Sequence, residues 1–341
     1  MRTYRWVRWL AAVLAVTVLA AGCGPGGGDA GEGGRHKVPV GVTSLNSLHL
    51  WLIVARDEKL MEPYGVDLDI VTFQNTGQIT PALLSGSVNF GMAAPEQVFS
   101  AQEEEPGLKM VAAEITNNPY SMIVSPEIKS LKDIKGKTIG VTGMGASADY
   151  FTAKLLLQAH GLEEKRDYNF TNAGPPPQRA TALLENQIDA VMSFEPDAQK
   201  LVDKGMKSIA AASDQPNLHD VLMGSIIANK EWYDENREVA VDFMRGYLAS
   251  VKWLYDPKNK DKAVADIAAE MNVSEKAAAA TYDQFVTTLK ASPLDGRIDH
   301  AFLERTVENI KKEGLKNAPP PGELKSKYDN SLVDAAAKGK G

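Results

Sequence analysis

Two stretches of the chain repeat one pattern about one hundred residues apart: ALLSGSVNFGMAAPEQ at residues 82–97 and ALLENQIDAVMSFEPDA at residues 182–198. Each predicts the end of a helix, a tight turn, a short apolar strand and a loop whose Pro and Glu open another helix. Strands that alternate with helices indicate βαβ crossovers and a largely parallel sheet. The repeat favours an α/β protein with two similar lobes, over the alternative that it reflects only the general habit of α/β folds.

The same alternation continues on both sides of each copy. Stretches with apolar residues at three- and four-residue spacing predict helices, and short apolar runs between them predict strands. The predicted strands cover residues 37–42, 66–73, 88–92, 109–114, 121–124, 137–141, 168–171 and 189–192.

The C-terminal third of the chain has a different character. After a last strand-like run at residues 226–228, nearly everything from residue 230 to 312 is helical in pattern, and Ser274 is placed to cap a helix. We expect these helices to pack against the first lobe. We also expect the triple proline at 319–321 to end the ordered fold and residues 334–341 to form a loose tail.

The first residues predict export. A basic start with three arginines precedes an apolar run over residues 9–21, which is shorter than the roughly 20 residues of a membrane-spanning helix. This predicts a signal peptide over residues 1–22. Cys23, the single cysteine, follows small residues, so we expect it to be lipidated and residues 23–36 to form a glycine-rich tether. The alternative is an ordinary signal peptide that includes a cysteine.

The composition argues against several classes of function. The formal net charge is −7, and it becomes about −10 without the three N-terminal arginines. An acidic chain without basic blocks argues against nucleic acid and anionic lipid surfaces as partners, so the lipid anchor is the only membrane contact we expect. The five histidines show no paired spacing that would indicate a metal site. We expect a monomer without a cofactor.

Loops at the carboxyl ends of the predicted strands are where an open α/β sheet binds its ligands. These loops are rich in Ser, Thr, Asn and Gly, which expose hydroxyl and backbone N–H groups at helix starts. Helix capping explains any single loop equally well, so the prediction depends on the convergence of the loops. The predicted ligand-binding residues are Ser44, Asn46, Ser47, Asn75, Thr76, Ala94, Glu96, Tyr120, Gly145, Ala146, Ser147, Asn172, Phe194 and Glu195.

These residues suggest the kind of ligand. The helix start at residues 145–147 would seat an acceptor or anionic group. Glu96 and Glu195 would repel a bare inorganic anion and favour a ligand that also carries N–H donors. Tyr120 and Phe194 could supply a stacking face for a ring. The alternative for Glu195 is that it only opens a helix, with its carboxylate turned to solvent.

Residues 142–148 also satisfy G-x-G-x-x-A after a strand, a variant of the dinucleotide-binding pattern. That function needs an acid at the end of the next strand, and none stands around Asn172. No G-x-S-x-G occurs and no histidine lies in a candidate loop, although His49 comes close to one. We therefore predict no catalytic residue.

In combination, several segments resemble a known family: the binding components of nitrate, sulfonate and taurine importers, with the thiamine-pyrimidine-precursor (NMT1-like) binders. The chain departs from the family's pattern at Lys59, and at Asn186 and Gln187, where glycine is usual. The segments that carry the resemblance are VARDEKLMEPYGVDLDIV at residues 54–71, SLKDIKGKTIGV at 130–141, GASADYFTAKLLLQAHGL at 145–162 and ALLENQIDAVMSFEP at 182–196.

The resemblance implies a type II periplasmic-binding-protein-like fold, whose two lobes close on a ligand by bending at two crossings. The crossings would fall near residues 117–120 and 215–223. Lobe one would then comprise residues 37–118 and 219–333, and lobe two residues 119–218.

The resemblance also implies a lipoprotein on the outer face of the cell membrane. It would pass a small nitrogen- or sulfur-containing solute to an ABC permease and its ATPase. A yeast branch of the superfamily makes pyrimidine with a cysteine-rich motif, which this chain lacks after Cys23. Two other functions stay open: a secreted enzyme acting on a small metabolite, and a lipoprotein that senses a ligand for a membrane receptor.

Overall fold

The computed structural model describes residues 34–145, 147–312, 314 and 318–339. In these residues the chain forms two five-stranded sheets with helices on both faces, which confirms the predicted two-lobed α/β fold class. The predicted signal peptide, Cys23 and most of the predicted tether lie outside the described residues. None of the described helices is both long and apolar enough to cross a membrane.

The first sheet combines strands from distant parts of the chain. Four strands run in one direction and β10 is antiparallel to both of its neighbours in the order β2-β1-β3-β10-β4. The strands are β1 (His36–Val42), β2 (Val66–Thr72), β3 (Phe90–Ala93), β4 (Leu108–Ile115) and β10 (Gly224–Asn229).

The second sheet repeats this arrangement in the order β7-β6-β8-β5-β9, with β5 reversed. Its strands are β5 (Ser121–Val124), β6 (Thr138–Val141), β7 (Asn169–Asn172), β8 (Ala190–Ser193) and β9 (Lys207–Ala211). In each sheet the reversed strand is the first one after a crossing from the other sheet. The two crossings and the carboxyl ends of the parallel strands therefore lie at the same edge.

The two repeated stretches of sequence occupy equivalent positions in the two lobes. The first contains the end of α2 (Ile79–Leu84), strand β3 and the start of α3 (Pro95–Glu104). The second contains the end of α5 (Pro176–Leu184), strand β8 and the start of α6 (Asp197–Asp203). Both strands lie third in their sheets, next to the reversed strand.

A further set of helices surrounds the sheets. They are α1 (Leu50–Asp57), α4 (Ala148–Ala159), α7 (Lys230–Glu235), α8 (Arg237–Tyr255), α9 (Lys260–Met271), α10 (Glu275–Tyr282), α11 (His300–Lys312) and α12 (Ser331–Ala337). Ser274 caps α10 as the sequence predicts, because its side chain accepts a hydrogen bond from the backbone N–H of Ala277. A π-helical turn, Asp283–Thr288, follows α10.

Helix α8 lies at the centre of the apolar core on one face of the first sheet. Trp51 of α1 packs edge-on against Tyr247, with ring centroids 4.7 Å apart, and Phe243 stacks on Phe90 of β3 at 4.0 Å. All four rings are fully buried. Burying a large apolar side chain contributes about 1.5–3 kcal/mol, so this cluster fixes the C-terminal helices to lobe one.

The end of the chain corrects two predictions. The ordered fold does not stop at residues 319–321, because the backbone N–H of Asp329 donates to the carbonyl oxygen of Met110 at 2.8 Å. The tail predicted as loose from residue 334 belongs in part to α12, in which Leu332 and Val333 are fully buried against lobe one. A few apolar residues are enough to hold α12 in place, because they pack against α8.

Candidate functional site

A cavity of about 460 Å³ lies between the two lobes, at the edge where the crossings occur; we call it the interlobe cavity. Lobe one provides Leu48, the start of α3 and one side of α11, and lobe two provides the first turns of α4 and Phe194. Residues of the two crossing segments complete the wall. Small-molecule sites commonly have volumes of about 300–1,000 Å³, so a small organic ligand fits.

The wall of the interlobe cavity is mainly apolar. Among the described residues that line it there is no Lys, Arg or His, and Glu96 is the single carboxylate. The apolar lining is made by Leu48, Phe151, Phe194, Leu218, Val221, Leu222, Met223 and Ile310.

Glu96 lies in the first turn of α3, directly after Pro95. It lines the interlobe cavity and is half-buried. Desolvation by this burial raises the pKa of Glu96, and a hydrogen bond from its own backbone N–H lowers it in part. The carboxylate is therefore held in an environment that disfavours its charge when no cation is near.

Two aromatic residues form one side of the cavity. The rings of Tyr120 and Phe194 meet edge to face, with centroids 5.0 Å apart, and Phe285 of lobe one lies 6.1 Å beyond Phe194. Burial raises the pKa of Tyr120 well above its usual range, and the charge of Asp149 adds to this effect. The Tyr120 hydroxyl therefore stays protonated at neutral pH.

Asn309 on α11 is a cavity residue that the sequence analysis does not predict. Its Nδ2 donates to the carbonyl oxygen of Asn217 at 2.6 Å, which fixes the orientation of the amide. Its Oδ1 is buried and has no hydrogen-bond partner among the described residues. No local motif marks this residue, because it stands within an ordinary amphipathic helix far along the chain.

Of the predicted ligand-binding residues, the structure places Ala94, Glu96, Tyr120 and Phe194 on the cavity wall. Ser44, Asn75 and Asn172 are exposed elsewhere, and Thr76 is half-buried away from the cavity. Asn46 accepts a hydrogen bond from the backbone N–H of Leu48 at 2.9 Å, so it caps a helical turn.

Ser47 also corrects the prediction. Its side chain is only 1% exposed, so it is shielded from the cavity that its neighbour Leu48 lines. The next residue, His49, is buried too. His49 Nδ1 lies 2.7 Å from Glu114 Oε1, which also accepts a hydrogen bond from Trp51 Nε1 at 2.8 Å. This buried contact positions the loop that carries Leu48.

The predicted donor groups before α4 are engaged within lobe two. The Ser147 hydroxyl donates to the carbonyl oxygen of Gly143 at 2.8 Å and accepts from the Gly143 N–H at 3.1 Å. The backbone N–H of Met144 donates to Asn172 Oδ1 at 2.8 Å. Gly145 is exposed outside the cavity wall, and Ala146 lies outside the described residues. The Ser147 hydroxyl and the Met144 N–H are thus used within lobe two, which corrects the prediction that Ser147 offers its hydroxyl to an anion.

Glu195 lies at the start of a helix, as the alternative predicts, but its carboxylate is not turned freely to solvent. It does not line the interlobe cavity, and its carboxylate accepts a hydrogen bond from the backbone N–H of Gln199 at 2.8 Å. The carboxylate therefore caps α6 and is turned neither to the cleft nor freely to solvent. Burial raises the pKa of Glu195, and this hydrogen bond lowers it in part.

A buried ion pair supports the cavity wall in lobe two. Asp149 of α4 lies 2.5 Å from Arg179 of α5, and both side chains are at least nine-tenths buried. Asp149 also accepts from the backbone N–H of Thr142 at 2.8 Å, and Arg179 donates to the carbonyl oxygen of Met192 at 3.1 Å. Neither charged residue lines the cavity, so the pair positions the first turn of α4.

No group of three or more His, Cys, Asp or Glu side chains in the described part of the chain could hold a metal ion. The polar groups of the interlobe cavity are a carboxylate, amides and hydroxyls. Their arrangement suits reversible binding of a small molecule by hydrogen bonds and apolar contact.

Known proteins of related sequence cover different parts of the chain. A family described as NMT1/THI5 like matches residues 46–260. A binding protein of Brucella abortus is 30% identical over 163 residues, and the match spans 47% of this chain and 49% of that relative, about half of its length. An ABC transporter periplasmic binding protein of Brachyspira hyodysenteriae is 25% identical over 266 residues, 72% of this chain and 73% of that protein.

Solved structures share the architecture over most of the chain. The periplasmic sulfonate-binding protein SsuA of Methylobacillus flagellatus superposes with a TM-score of 0.70 and covers 89% of this chain and 94% of its own. The superposition shows a common fold. The sequence identity over this match is only 20%, so the ligand of this chain has to be inferred from the cavity itself.

Proposed function

Because this chain belongs to the NMT1/THI5-like family, we propose that it is the solute-binding component of an ABC importer and acts outside the cytoplasm. It captures a small nitrogen- or sulfur-containing organic solute between its lobes and passes the solute to a permease and its ATPase. It works as a binding protein and not as an enzyme.

The interlobe cavity is the observation that carries this proposal. Segments from both lobes and from both crossings meet around one mainly apolar space. A ligand held there touches both lobes at once, so its binding energy favours the arrangement in which the lobes are closed. The relatives named as binding proteins and the sulfonate-binding structure add support for the same activity.

The crossing segments would act as the hinge. Asn117 in the first crossing accepts a hydrogen bond from the backbone N–H of Asp220 in the second at 2.9 Å, so one side chain joins the two. In this proposal lobe two comprises residues 119–218, and lobe one comprises residues 37–118 together with the chain from residue 219, now extended to the end of α12.

We further propose that Cys23 is lipidated after removal of residues 1–22, so that the protein is anchored in the membrane by its lipid alone and acts as a monomer. Labelling with a fatty acid tests the anchor: the wild type takes up label and a Cys23→Ala variant does not. Equal labelling of both proteins, or of neither, contradicts the anchor without affecting the proposal for ligand binding.

Native mass spectrometry of freshly purified protein tests the function. We expect a small bound molecule that is lost on denaturation, and we expect deletion of the gene to abolish uptake of that molecule by the cell. Chemical turnover of the molecule by the purified protein would favour a secreted enzyme. Normal uptake in the deletion strain would favour a sensor.

A further inference from the structure

We propose that Glu96 is the recognition point for a cationic nitrogen, and that the ligand is an organic molecule with a largely apolar body and a protonated amine or similar N–H-rich head. This inference rests on the proposed function and specifies its ligand. It sets this chain apart from a protein that captures an inorganic anion or a sulfonate.

The first argument comes from the hydrogen-bonding capacity that the cavity leaves unused. Asn309 Oδ1 is a buried acceptor without a partner among the described residues, and the Glu96 carboxylate accepts only from its own backbone N–H there. Both residues line the interlobe cavity, but Asn309 Oδ1 itself has almost no accessible surface, so Glu96 carries the acceptor that a ligand can reach. A ligand that supplies an N–H donor would give the Glu96 carboxylate a hydrogen-bond partner from outside its own helix.

Other polar groups of the wall are already engaged with the protein. Asn118 donates to Thr152 Oγ1 at 3.1 Å and accepts from the backbone N–H of Tyr120 at 3.1 Å. The Thr306 hydroxyl accepts from the backbone N–H of Leu222 at 2.8 Å. The Oε1 of Gln97 accepts from the backbone N–H of Ala94 at 3.2 Å. These hydrogen bonds hold the wall in shape, and Glu96 is the carboxylate that the described lining residues offer to a ligand.

The second argument is electrostatic. An anion in the interlobe cavity would lie in an apolar space with a carboxylate, and the described lining residues offer no basic side chain to balance it. Arg179, a buried cation of lobe two that does not line the cavity, is already paired with Asp149. The helix start at Ser147, where an anion could otherwise be seated, uses its hydroxyl within its own loop. A cation would instead be attracted to the Glu96 carboxylate and would compensate its negative charge.

The apolar lining indicates the chemistry of the part of the ligand that lies away from Glu96. Phe151, Phe194 and Tyr120 present aromatic surface, and aliphatic side chains of the second crossing and of α11 also line the cavity. A small inorganic ion would leave this surface without contact. An apolar body would cover this surface and gain the free energy of removing apolar area from water.

Three probes with one apolar body test the inference: 4-phenylbutylamine, 4-phenylbutanol and 4-phenylbutyrate, whose heads are cationic, neutral and anionic. Dissociation constants are measured by calorimetry on the full folded chain. Because a charge-assisted hydrogen bond adds about 1.5 kcal/mol or more, we expect the amine to bind about tenfold more tightly than the alcohol, and the butyrate to bind most weakly.

The variant Glu96→Gln keeps the shape of the side chain and removes its charge, so the amine should lose its advantage over the alcohol. Glu103→Gln is the matched control, because it removes one carboxylate from the exposed side of the same helix, outside the cavity. We expect it to leave all three dissociation constants unchanged.

The inference is overturned if the butyrate, nitrate or hexanesulfonate binds as tightly as the amine, or if Glu96→Gln keeps the preference for the amine. The absence of binding by all three matched probes at millimolar concentration also counts against it. None of these outcomes contradicts the role in import, which the uptake experiment decides separately. A protein that binds a sulfonate and supports its uptake would retain the proposed function and refute the cation site.

Discussion

Gln284, on the π-helical turn of lobe one, donates a hydrogen bond from Nε2 to the carbonyl oxygen of Pro119 at 2.9 Å. Its Oε1 accepts a second hydrogen bond from the backbone N–H of Glu195 in lobe two at 3.0 Å. One side chain thus joins lobe one to a crossing segment and to the opposite lobe, beside the contact between Phe194 and Phe285. This position makes Gln284 a determinant of how the lobes meet.

Replacing Gln284 with Ala should weaken binding of the ligand released from the purified protein about tenfold, because two hydrogen bonds of about 0.5–1.5 kcal/mol each are lost. Calorimetry measures the affinity, and solution scattering should show a larger radius of gyration for the ligand-bound variant than for the bound wild type. Thr288→Ala, exposed on the same turn, is the control. Unchanged affinity and radius would show that Gln284 does not hold the lobes together.

Glu96 should destabilise the ligand-free protein at neutral pH. Its raised pKa means that the folded state holds the proton more tightly than the unfolded chain does. Its contribution to stability is therefore fully present below the unfolded pKa and is lost as the pH rises through the folded pKa. Glu96→Gln stays neutral, so it should raise the free energy of unfolding by about 1 kcal/mol near neutral pH and by less in acid.

Urea denaturation over a range of pH measures this difference, with Glu103→Gln as the control. Tyr120, which also lines the cavity, does not complicate the profile, because burial raises its pKa and it keeps its proton over this range. If wild type and Glu96→Gln show parallel profiles, Glu96 does not carry the burial cost that we assign to it.

The sequence is sufficient to predict the architecture because short apolar runs and turn residues mark most strands and helices of each lobe. The two copies of the helix–turn–strand–loop pattern fall on β3 and β8, and the alternation of apolar runs gives most other strands. The edge strand β9 escapes prediction, because Lys207 and Ser208 are exposed and its apolar run is short. Helix α12 escapes it for a related reason: its apolar face is completed only by contact with α8.

The site is only partly predictable. The sequence predicts Ala94, Glu96, Tyr120 and Phe194 because they follow strands or lie in a crossing segment, and the geometry of an α/β sheet brings such positions together. Ser147 and Asn172 stand at similar positions, yet their polar groups bind their own loops. Capping and ligand binding use the same residue types, so the sequence pattern does not separate the two uses.

The ion pair of Asp149 and Arg179 gives a test of the wall of lobe two. Removing one partner leaves a buried charge without compensation, so Asp149→Asn and Arg179→Met should each cost about 3–5 kcal/mol of the free energy of unfolding. The double variant should cost less than the sum of the two, because neither charge is then left alone. Chemical denaturation measures all three.

An exposed pair provides the contrast. Lys200 and Asp197 lie 2.9 Å apart on α6, with about half of each side chain exposed, so Lys200→Ala should change the stability by less than about 1 kcal/mol. If the single variants at the buried pair cost no more than Lys200→Ala, the buried pair does not support the wall as described.

The C-terminal helix supplies the last test, because a loose tail and a docked helix predict opposite results. Leu332 is fully buried in the core that contains α8, so Leu332→Ala should cost about 2–5 kcal/mol, through lost burial and the cavity left behind. Lys338→Ala, exposed just beyond the helix, should leave stability unchanged. Thermal and urea denaturation compare the two variants with the wild type. Wild-type stability of Leu332→Ala would mean that residues beyond 331 contribute nothing to lobe one, as a free tail would.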